Sequence, residues 1–269
     1  MPKTILITGA TDGIGLETAQ RLSALGHHLL IHGRNADKLS ATAGKLRALP
    51  GSGVVETFLA DLSDLTEVAR LGRTLRDGHD RIDVLINNAG VFKVDNPTMA
   101  DGQDVRFVVN TLAPALLTRL VLPVMPTDGR IVHLSSAAQA PVDLAALDGQ
   151  RKLDAMDAYA QSKLALTMWS KALSADLGQD GPVTVAVNPG SLLATKMVRK
   201  GFGVAGNDIG IGADILIRAA LSDEFSDASG LYFDNDSGRF ATPHADGANP
   251  AKIAPVAKAI EARITPSYR

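Results

Sequence analysis

Tyr159 and Lys163 are the residues of this chain whose types and spacing most directly suggest acid–base chemistry. They stand four positions apart in a segment predicted to be helical, so their side chains should share one face. A free tyrosine has a pKa of about 10, and a nearby ammonium favours the phenolate and lowers that value. The pair therefore predicts a tyrosine that transfers a proton. The alternative is a surface pair, because this spacing is common by chance.

A glycine-rich turn near the N-terminus predicts a site for a phosphate-bearing ligand. The sequence Thr8-Gly9-Ala10-Thr11-Asp12-Gly13-Ile14-Gly15 joins the first predicted strand to the first predicted helix. Glycines let the backbone turn tightly and approach a pyrophosphate, whose charge is stabilised at a helix N-terminus. An ordinary strand-to-helix turn is the alternative, but the position directly after the first strand favours dinucleotide binding.

The end of the second predicted strand indicates which dinucleotide would bind. An NAD site usually carries an acidic residue there, whereas an NADP site lacks the acid and often has an arginine nearby. Here the sequence is Gly33-Arg34-Asn35, with no carboxylate to repel a 2′-phosphate and a guanidinium to pair with it. We therefore predict NADP(H), with NAD(H) as the second candidate. The alternative is that Arg34 is a solvated residue before a helix.

Three other predicted strand ends carry residues suited to the same crevice. Asp61-Leu62 follows the third strand, where a carboxylate could accept a hydrogen bond from an adenine amino group. Asn87-Asn88-Ala89-Gly90 follows the fourth strand, where small residues let backbone lie against the cofactor. Ser136 ends the fifth strand, and its hydroxyl could bind a substrate oxygen. Taken singly, the first two could be ordinary capping loops.

Short apolar runs alternate with longer amphipathic ones, as a parallel sheet covered on both faces requires. We predict one α/β domain over residues 1–269, with a Rossmann fold and a doubly wound, mostly parallel sheet of about seven strands. The predicted strands are Thr4–Thr8, His28–His32, Val54–Leu59, Ile82–Ile86, Arg130–Leu134, Val183–Val187 and Gly230–Phe233. The predicted helices are Gly13–Leu25, Asn35–Leu49, Leu65–Arg76, Gln103–Met125, Asp157–Leu177, Ile211–Leu221 and Asn249–Arg263.

Composition excludes several classes of protein. A net charge of −2 gives no electrostatic reason to expect nucleic acid or an anionic membrane as partner, and the absence of cysteine excludes disulfides and thiol catalysis. The six histidines show no metal-binding spacing, so we predict no metal site. The longest apolar stretch, Leu112–Met125, is interrupted by proline and arginine and is shorter than the ~20 residues of a membrane helix. We predict a cytoplasmic protein without a membrane span.

These motifs together resemble the short-chain dehydrogenase/reductase family. The resemblance covers nearly the whole chain in family order, and its landmarks are the Thr8–Gly15 turn, Asp61, Asn87–Gly90, Asn110, Ser136, Tyr159, Lys163 and Pro189-Gly190. It implies an oxidoreductase that moves a hydride between a nicotinamide and a carbonyl or alcohol. The implied cofactor contacts are Gly9, Thr11, Asp12, Gly13, Ile14, Gly15, Arg34, Asn35, Asp61, Leu62, Asn88, Ala89, Gly90, Asn110, Tyr159, Lys163, Pro189, Gly190, Leu192 and Thr195.

The resemblance also implies a catalytic tetrad. Tyr159 passes the proton and Ser136 orients the substrate oxygen. Lys163 binds the nicotinamide ribose and depresses the tyrosine pKa, and Asn110 holds a water that connects Lys163 to solvent. Pro114, four residues after Asn110, has no N–H to give the Asn110 carbonyl, which would leave that carbonyl free for the water. The alternative is that Pro114 only kinks the helix.

Two departures from the usual pattern refine this prediction. Tyr159 follows Ser136 by 23 positions, and this spacing resembles the retinol-dehydrogenase-like branch, as do Tyr159-Ala-Gln-Ser-Lys163 and His32-Gly33-Arg34-Asn35. The threonine after Pro189-Gly190 comes one position later than usual, at Thr195, which makes its contact with the nicotinamide carboxamide a weaker prediction.

The segment after Gly190 loses a clear period and is predicted to be a substrate loop, at about 191–225. Its apolar residues favour a lipophilic substrate, and they are Leu192, Leu193, Met197, Val198 and Phe202. Its basic residues predict a solvated face in preference to an anion site, and they are Lys196, Arg199 and Lys200. The family implies a homodimer or homotetramer. The competing functions are an NAD(H)-linked alcohol dehydrogenase and a catalytically silent NADP(H)-binding regulatory module.

Overall fold

Eight strands form one sheet in the computed structural model, which describes residues 1–197, 203 and 205–268. The strands are β1 (Thr4–Ile7), β2 (His28–Gly33), β3 (Val55–Leu59), β4 (Val84–Asn87), β5 (Arg130–Leu134), β6 (Val183–Asn188), β7 (Tyr232–Asp234) and β8 (Arg239–Ala241). Their order is β3-β2-β1-β4-β5-β6-β7-β8, and every pair is parallel except β7 with β8. The predicted doubly wound α/β fold is confirmed.

The eighth strand was not predicted from the sequence. Arg239–Ala241 has three residues that are exposed or half-buried, too few for an alternating apolar pattern, and the sequence there indicated a polar loop. Its antiparallel pairing with β7 adds an edge strand to a sheet that is otherwise parallel.

Helices cover both faces of the sheet. One face carries α1 (Gly13–Ala24), α2 (Ala36–Arg47) and α8 (Ile209–Leu221). The other carries α3 (Leu65–Gly78), α5 (Ala113–Val121), α7 (Ala155–Leu177) and α10 (Pro250–Tyr268). Short helical segments complete the described chain, namely α4 (Val105–Phe107), α6 (Leu144–Leu147), α9 (Ala245–Ala248) and the 3-10 turns Leu122–Val124, Gly178–Asp180 and Asp223–Phe225.

Alternation along each strand explains why both faces need cover. In β1, Leu6 belongs to one core, while Ile5 and Ile7 belong to the other, and all three are fully buried. Full burial of such a side chain stabilises the fold by about 1.5–3 kcal/mol. Strands that are apolar on both sides appear in the sequence as continuous hydrophobic runs, and their positions could therefore be predicted well.

The helix predicted over Gln103–Met125 is interrupted. It consists of α4, a π-helical turn at Val108–Leu112, α5 and a 3-10 turn that ends at Val124. Pro114 explains the wide turn, since its ring would clash with the carbonyl four residues earlier in a regular α-helix and it cannot donate a hydrogen bond. By length and composition, Val105–Val124 is apolar enough to cross a membrane, contrary to the sequence prediction, but most of it is buried inside the fold.

The topology defines where ligands should bind. β1 and β4 are neighbours, so the chain leaves β1 toward one side of the sheet and later continues from β4 toward the other. In such sheets, ligands bind in the crevice beyond the carboxyl ends of the strands at this switch point. The residues that follow β1, β4 and β5 therefore face the same crevice.

Candidate active site

The glycine turn after β1 is shaped for close backbone approach. Gly9 and Gly13 have φ of +67° and +59°, a region that favours glycine. A Cβ at Gly15 would lie 2.3 Å from Asn88 Nδ2 and 2.4 Å from the Gly9 carbonyl oxygen, so no side chain fits there. Asp12 caps α1 by accepting a hydrogen bond from Gly13 N at 2.9 Å. These features suit a pyrophosphate laid against the start of α1.

Asn88 holds the turn against the end of β4. Its Nδ2 donates to the carbonyl oxygens of Thr8 at 2.8 Å and Gly9 at 3.2 Å. The Thr8 hydroxyl accepts from Asn88 N at 3.0 Å and Ala89 N at 3.1 Å. The two sequence motifs at 8–15 and 87–90 are thus parts of one structure, as the sequence analysis predicted.

His32 is a positioning residue of this turn that sequence reasoning missed. Its Nδ1 accepts a hydrogen bond from Gly9 N at 3.2 Å, and its Nε2 lies 3.0 Å from the Ala60 carbonyl oxygen. A carbonyl can only accept, so Nε2 carries the hydrogen and the ring is neutral. Burial lowers the pKa of His32 and keeps it so. The signal available in the sequence was a histidine inside an apolar strand.

The end of β2 has the arrangement that the cofactor prediction requires. A Cβ at Gly33 would lie 2.7 Å from Thr11 Cγ2, so the side chain of Thr11 occupies the space an acidic residue would need. Arg34 is exposed and has no hydrogen bond or ion pair with any described residue. Asn35 caps α2 by accepting from Lys38 N at 2.9 Å. The free guanidinium thus stands beside a strand end without a carboxylate.

Asp61 and Leu62 lie after β3, on the same edge of the sheet. Asp61 Oδ1 accepts from Ser63 N at 2.9 Å and Ser63 Oγ at 2.8 Å, which is the capping arrangement named as the alternative. Its backbone N–H donates to Glu67 at 2.7 Å, and Leu62 is buried. The loop is therefore rigid, and the remaining oxygen of Asp61 has no hydrogen bond among residues 1–197, 203 and 205–268.

Helix α7 brings Tyr159 and Lys163 to the edge of β5. Asp154 caps this helix by accepting from Met156 N and Asp157 N. Lys163 is 3% exposed, its Nζ donates to the Leu134 carbonyl oxygen at 2.7 Å, and it lies 5.9 Å from the centre of the Tyr159 ring. The predicted shared face is confirmed.

Asn110 sits in the π-helical turn and points at the loop after β4. Its Oδ1 accepts from Val91 N at 2.8 Å, and its Nδ2 donates to the Val91 carbonyl oxygen and to Ser162 Oγ, both at 3.0 Å. A Cβ at Gly90 would lie 3.3 Å from Asn110 Oδ1 and 3.4 Å from Lys163 Nζ. The loop after β4, the π-helical turn and α7 therefore meet at Gly90.

Ser136 completes the constellation at the end of β5. Its hydroxyl is a hydrogen-bonding neighbour of the Tyr159 phenol and accepts from Ala138 N at 3.1 Å. Its carbonyl oxygen accepts from Tyr232 Oη at 3.1 Å and from Gln139 Nε2 at 2.9 Å. Tyr232 and Gln139 are further residues that sequence reasoning missed. Gln139 is a near neighbour of Ser136 in the chain, whereas only the tertiary structure brings Tyr232 in β7 to this strand end.

The charge states differ from the sequence prediction. Burial raises the pKa of Tyr159, although the hydrogen bond with Ser136 lowers it in part. Burial also lowers the pKa of Lys163 to about 8. The pKa of Tyr159 is thus raised in the protein without cofactor and not lowered as predicted, because desolvation of the phenolate is the largest effect on it.

The segment after β6 folds back toward the glycine turn. The Pro189 carbonyl accepts from Asn235 Nδ2 at 3.0 Å, and Gly190 has φ of +115°. Leu192 is half exposed and has φ of +53°. This backbone conformation costs about 1–3 kcal/mol for a residue other than glycine. A Cβ at Gly13 would lie 3.6 Å from Thr195 Cγ2, so Thr195 does face the cofactor turn.

Lys196 makes an ion pair with Asp12 across the mouth of the turn. Of the apolar loop residues, Leu193 is buried against Gly212 and Ile14 in the core and does not line a pocket. The predictions for Val198, Arg199, Lys200 and Phe202 lie outside the described residues.

Comparison with known proteins identifies the type of enzyme that these features match. Residues 3–202 match the sequence profile of the short chain dehydrogenase family. Human retinol dehydrogenase 13 is 31% identical over 265 residues, which cover 91% of this chain and 80% of that protein.

Solved structures give the same result at the level of the fold. The crystal structure of an uncharacterised protein from Mycobacterium paratuberculosis has a TM-score of 0.79 at 28% identity and covers 100% of this chain and 96% of that one. Landomycin C-6 ketoreductase LanV, solved with bound NADP and rabelomycin, has a TM-score of 0.69 at 28% identity and covers 88% of this chain and 95% of that one.

Proposed function

Because the chain belongs to the short-chain dehydrogenase/reductase family, on its retinol-dehydrogenase-like side, we propose that it uses NADP(H) to reduce a lipophilic carbonyl, with Tyr159 as the proton donor. The chain is an oxidoreductase of carbonyl or CH–OH groups, as the family implies. The observation that carries the proposal is the convergence of Ser136, Tyr159 and Lys163 beside the glycine turn.

Tyr159 and Ser136 perform the proton transfer. A bound nicotinamide supplies or accepts the hydride. The Ser136 hydroxyl donates a hydrogen bond to the substrate oxygen, and the Tyr159 phenol gives its proton to the same oxygen as charge develops there. A phenol is the form needed at the start of reduction, and burial raises the pKa of Tyr159 and favours this form. Tyr159 is therefore protonated at neutral pH in the chain without substrate.

Lys163 and Asn110 restore the proton. Lys163 lies within reach of Tyr159 and of the Gly90 loop, and its pKa of about 8 lets it hold or release a proton near neutral pH. We propose that Asn110, held by Val91 in the π-helical turn, keeps a water at its backbone carbonyl for exchange with solvent. Pro114 supports this role because it cannot donate to that carbonyl.

The end of β2 supports NADP(H) as the proposed cofactor. The guanidinium of Arg34, which has no partner among the described residues, suits a 2′-phosphate, and Thr11 excludes an acidic side chain at Gly33. LanV, one of the similar structures, holds NADP.

The substrate class is inferred from both the site and its relatives. Phe92 packs against Tyr159 with ring centres 5.1 Å apart, and the exposed Leu192 adds another apolar surface to the segment after Gly190. Retinol dehydrogenase 13 and landomycin C-6 ketoreductase LanV, the latter solved with rabelomycin, are among the similar proteins. These observations support a lipophilic carbonyl over a small polar one.

The test is NADPH oxidation with a panel of lipophilic aldehydes, ketones and quinones, run beside the reverse reaction with the corresponding alcohols. Tyr159→Phe should slow reduction about 10²- to 10⁴-fold and leave NADPH binding intact. Tyr268→Phe is the matched control, since the Tyr268 hydroxyl bonds to Glu261 in α10, away from the site. Full activity of Tyr159→Phe would contradict the assigned role.

The panel also separates the other hypotheses. NADPH binding without turnover on any substrate would favour the regulatory module, and a clear preference for NAD(H) would favour the alcohol dehydrogenase. A single domain, a substrate loop at about 191–225, a homodimer or homotetramer and a cytoplasmic location stay predictions.

A further inference from the structure

A cluster of His28, Glu56 and His79 lies at the opposite edge of the sheet from the active site. His28 begins β2, whereas the cofactor-facing end of that strand is Gly33, about 16 Å away at ~3.3 Å per residue. His28 Nε2 lies 2.8 Å from Glu56 Oε1, and His79 Nε2 lies 3.4 Å from the same oxygen. We propose that these three side chains bind a divalent transition-metal ion, of which Zn²⁺ is the best fit.

The orientation of His79 supplies the first argument. Its Nδ1 lies 2.9 Å from the Leu75 carbonyl oxygen, which can only accept, so Nδ1 carries the hydrogen. In the neutral ring, the lone pair of Nε2 then faces the Glu56 carboxylate, which is also an acceptor. Two acceptors directed at each other are stable only with a cation between them, which is either a second proton on His79 or a metal ion. A histidine that donates Nδ1–H to a backbone carbonyl and presents Nε2 is the arrangement typical of metal-binding histidines.

The spacing supplies the second argument. Zinc binds imidazole nitrogen and carboxylate oxygen at ~2.0–2.2 Å in a tetrahedral arrangement, which puts two ligand atoms about 3.4 Å apart. His79 Nε2 and Glu56 Oε1 already have this separation, and all three ligand atoms lie within 4.8 Å of one another. His28 Nε2, at 2.8 Å from Glu56 Oε1, would have to move outward by about 0.6 Å to reach the same separation from that oxygen.

Burial leaves the site accessible on one side. The side chains of His28, Glu56 and His79 are 29%, 43% and 11% exposed. Two neutral imidazoles and one carboxylate leave the complex with a single positive charge, and water can fill the fourth position of the ion from the exposed side. Phe58 packs against His79 and closes the inner side, with ring centres 6.1 Å apart.

The ion would link parts of the chain that are distant in sequence. β3 is the edge strand of the sheet, and His79 caps the end of α3 on the connection to β4. Coordination of one ion by residues of β2, β3 and the end of α3 would hold the edge strand in place. The sequence analysis predicted no metal because the three residues are separated by 28 and 23 positions and form no motif.

The experiment is a titration of untagged, chelator-treated protein with ZnCl₂ by calorimetry, with Co²⁺ absorption as a second readout. We expect one Zn²⁺ per chain with Kd of about 10 µM or tighter. The double variant His28→Gln/His79→Gln should weaken binding about 100-fold or more, and His244→Gln should bind as the wild type does. Saturating Zn²⁺ should raise the Tm of the wild type by about 5 °C and leave that of the double variant unchanged.

Two controls keep the result decisive. The circular dichroism spectrum of the metal-free double variant must match the wild type, which shows that lost binding is not lost folding. If it does not match, the single variant Glu56→Gln takes its place, because Gln preserves the size of the side chain and removes its charge. Failure of the wild type to bind Zn²⁺, or equal binding by the variants, would overturn the proposal. Neither result bears on the active site, since Tyr159→Phe protein should bind Zn²⁺ unchanged.

Discussion

Changing the cofactor preference of this enzyme should require two substitutions at the end of β2. Introducing an acidic residue with Gly33→Asp supplies the carboxylate that an NAD site uses for the ribose hydroxyls. The new Cβ would lie 2.7 Å from Thr11 Cγ2, however, and such a contact forces the backbone or Thr11 to move. Thr11→Ala removes the obstructing methyl and hydroxyl groups. The structure therefore predicts that the two changes depend on each other.

The magnitudes follow from the contacts. A hydrogen bond from a ribose hydroxyl to a carboxylate is worth about 1.5–3 kcal/mol, and overpacking costs about 1–3 kcal/mol. In Gly33→Asp alone these terms offset one another, so kcat/KM for NADH should change only a few-fold. In Thr11→Ala/Gly33→Asp the strain is released, and kcat/KM for NADH should rise about 10- to 100-fold over Thr11→Ala. NADPH efficiency should fall in both, because the new carboxylate would repel the 2′-phosphate at the proposed site.

The assay is a double-mutant cycle on kcat/KM for NADH and NADPH, with one substrate from the panel. Coupling between the sites should be at least about 1 kcal/mol, as expected for residues in contact. If Gly33→Asp alone shifted preference as strongly as the double variant, Thr11 would not be the barrier. If neither altered the preference, the end of β2 would not face the adenosine ribose, and the case for NADP(H) would lose its main support.

Two further predictions concern groups near the site. Tyr232→Phe removes the hydrogen bond to the Ser136 carbonyl, worth about 0.5–1.5 kcal/mol, so kcat should fall about 3- to 10-fold while KM for NADPH stays constant in steady-state assays. Burial lowers the pKa of His133 from 6.5 to about 3. Between pH 6.5 and pH 3, the His133 side chain therefore binds a proton only in the unfolded chain. The free energy of unfolding should thus drop by up to about 5 kcal/mol as pH falls from 6.5 to 3; denaturant titrations should show a shallower drop for His133→Leu, and an equal drop would contradict the assignment.

Elements with a strong apolar pattern could be predicted from the sequence, and weakly patterned ones could not. Five of the first six strands lie within a residue of their predicted bounds, and β4 begins two residues later than predicted, because apolar runs between turns leave little choice. The three-residue β8 has no such pattern and depends on pairing with β7. The π-helical turn at Val108–Leu112 was foreshadowed by Pro114, but one proline does not distinguish a kink from a widened turn.

The candidate site divides in the same way, into residues marked by local motifs and residues recruited by the fold. Tyr159, Lys163 and the glycine turn carry local spacing that a sequence displays. His32 and Tyr232 act through contacts made across neighbouring strands, and nothing in their immediate sequence distinguishes them from core residues. Local motifs therefore locate the proposed reacting groups, while the residues that hold them must be found from the structure.

Charge states are the part of the site furthest from sequence reasoning, because desolvation depends on burial and burial on the whole fold. In the sequence, the spacing of Tyr159 and Lys163 on one helix face predicted a phenolate stabilised by an ammonium. In the folded protein both groups are shifted toward their neutral forms, the phenol by a raised pKa and the ammonium by a pKa of about 8. The neutral phenol carries the proton that reduction of a carbonyl consumes, and a lysine with a pKa of about 8 can supply the proton that replaces it. Oxidation of an alcohol would need the phenolate, and the folded chain by itself opposes that state.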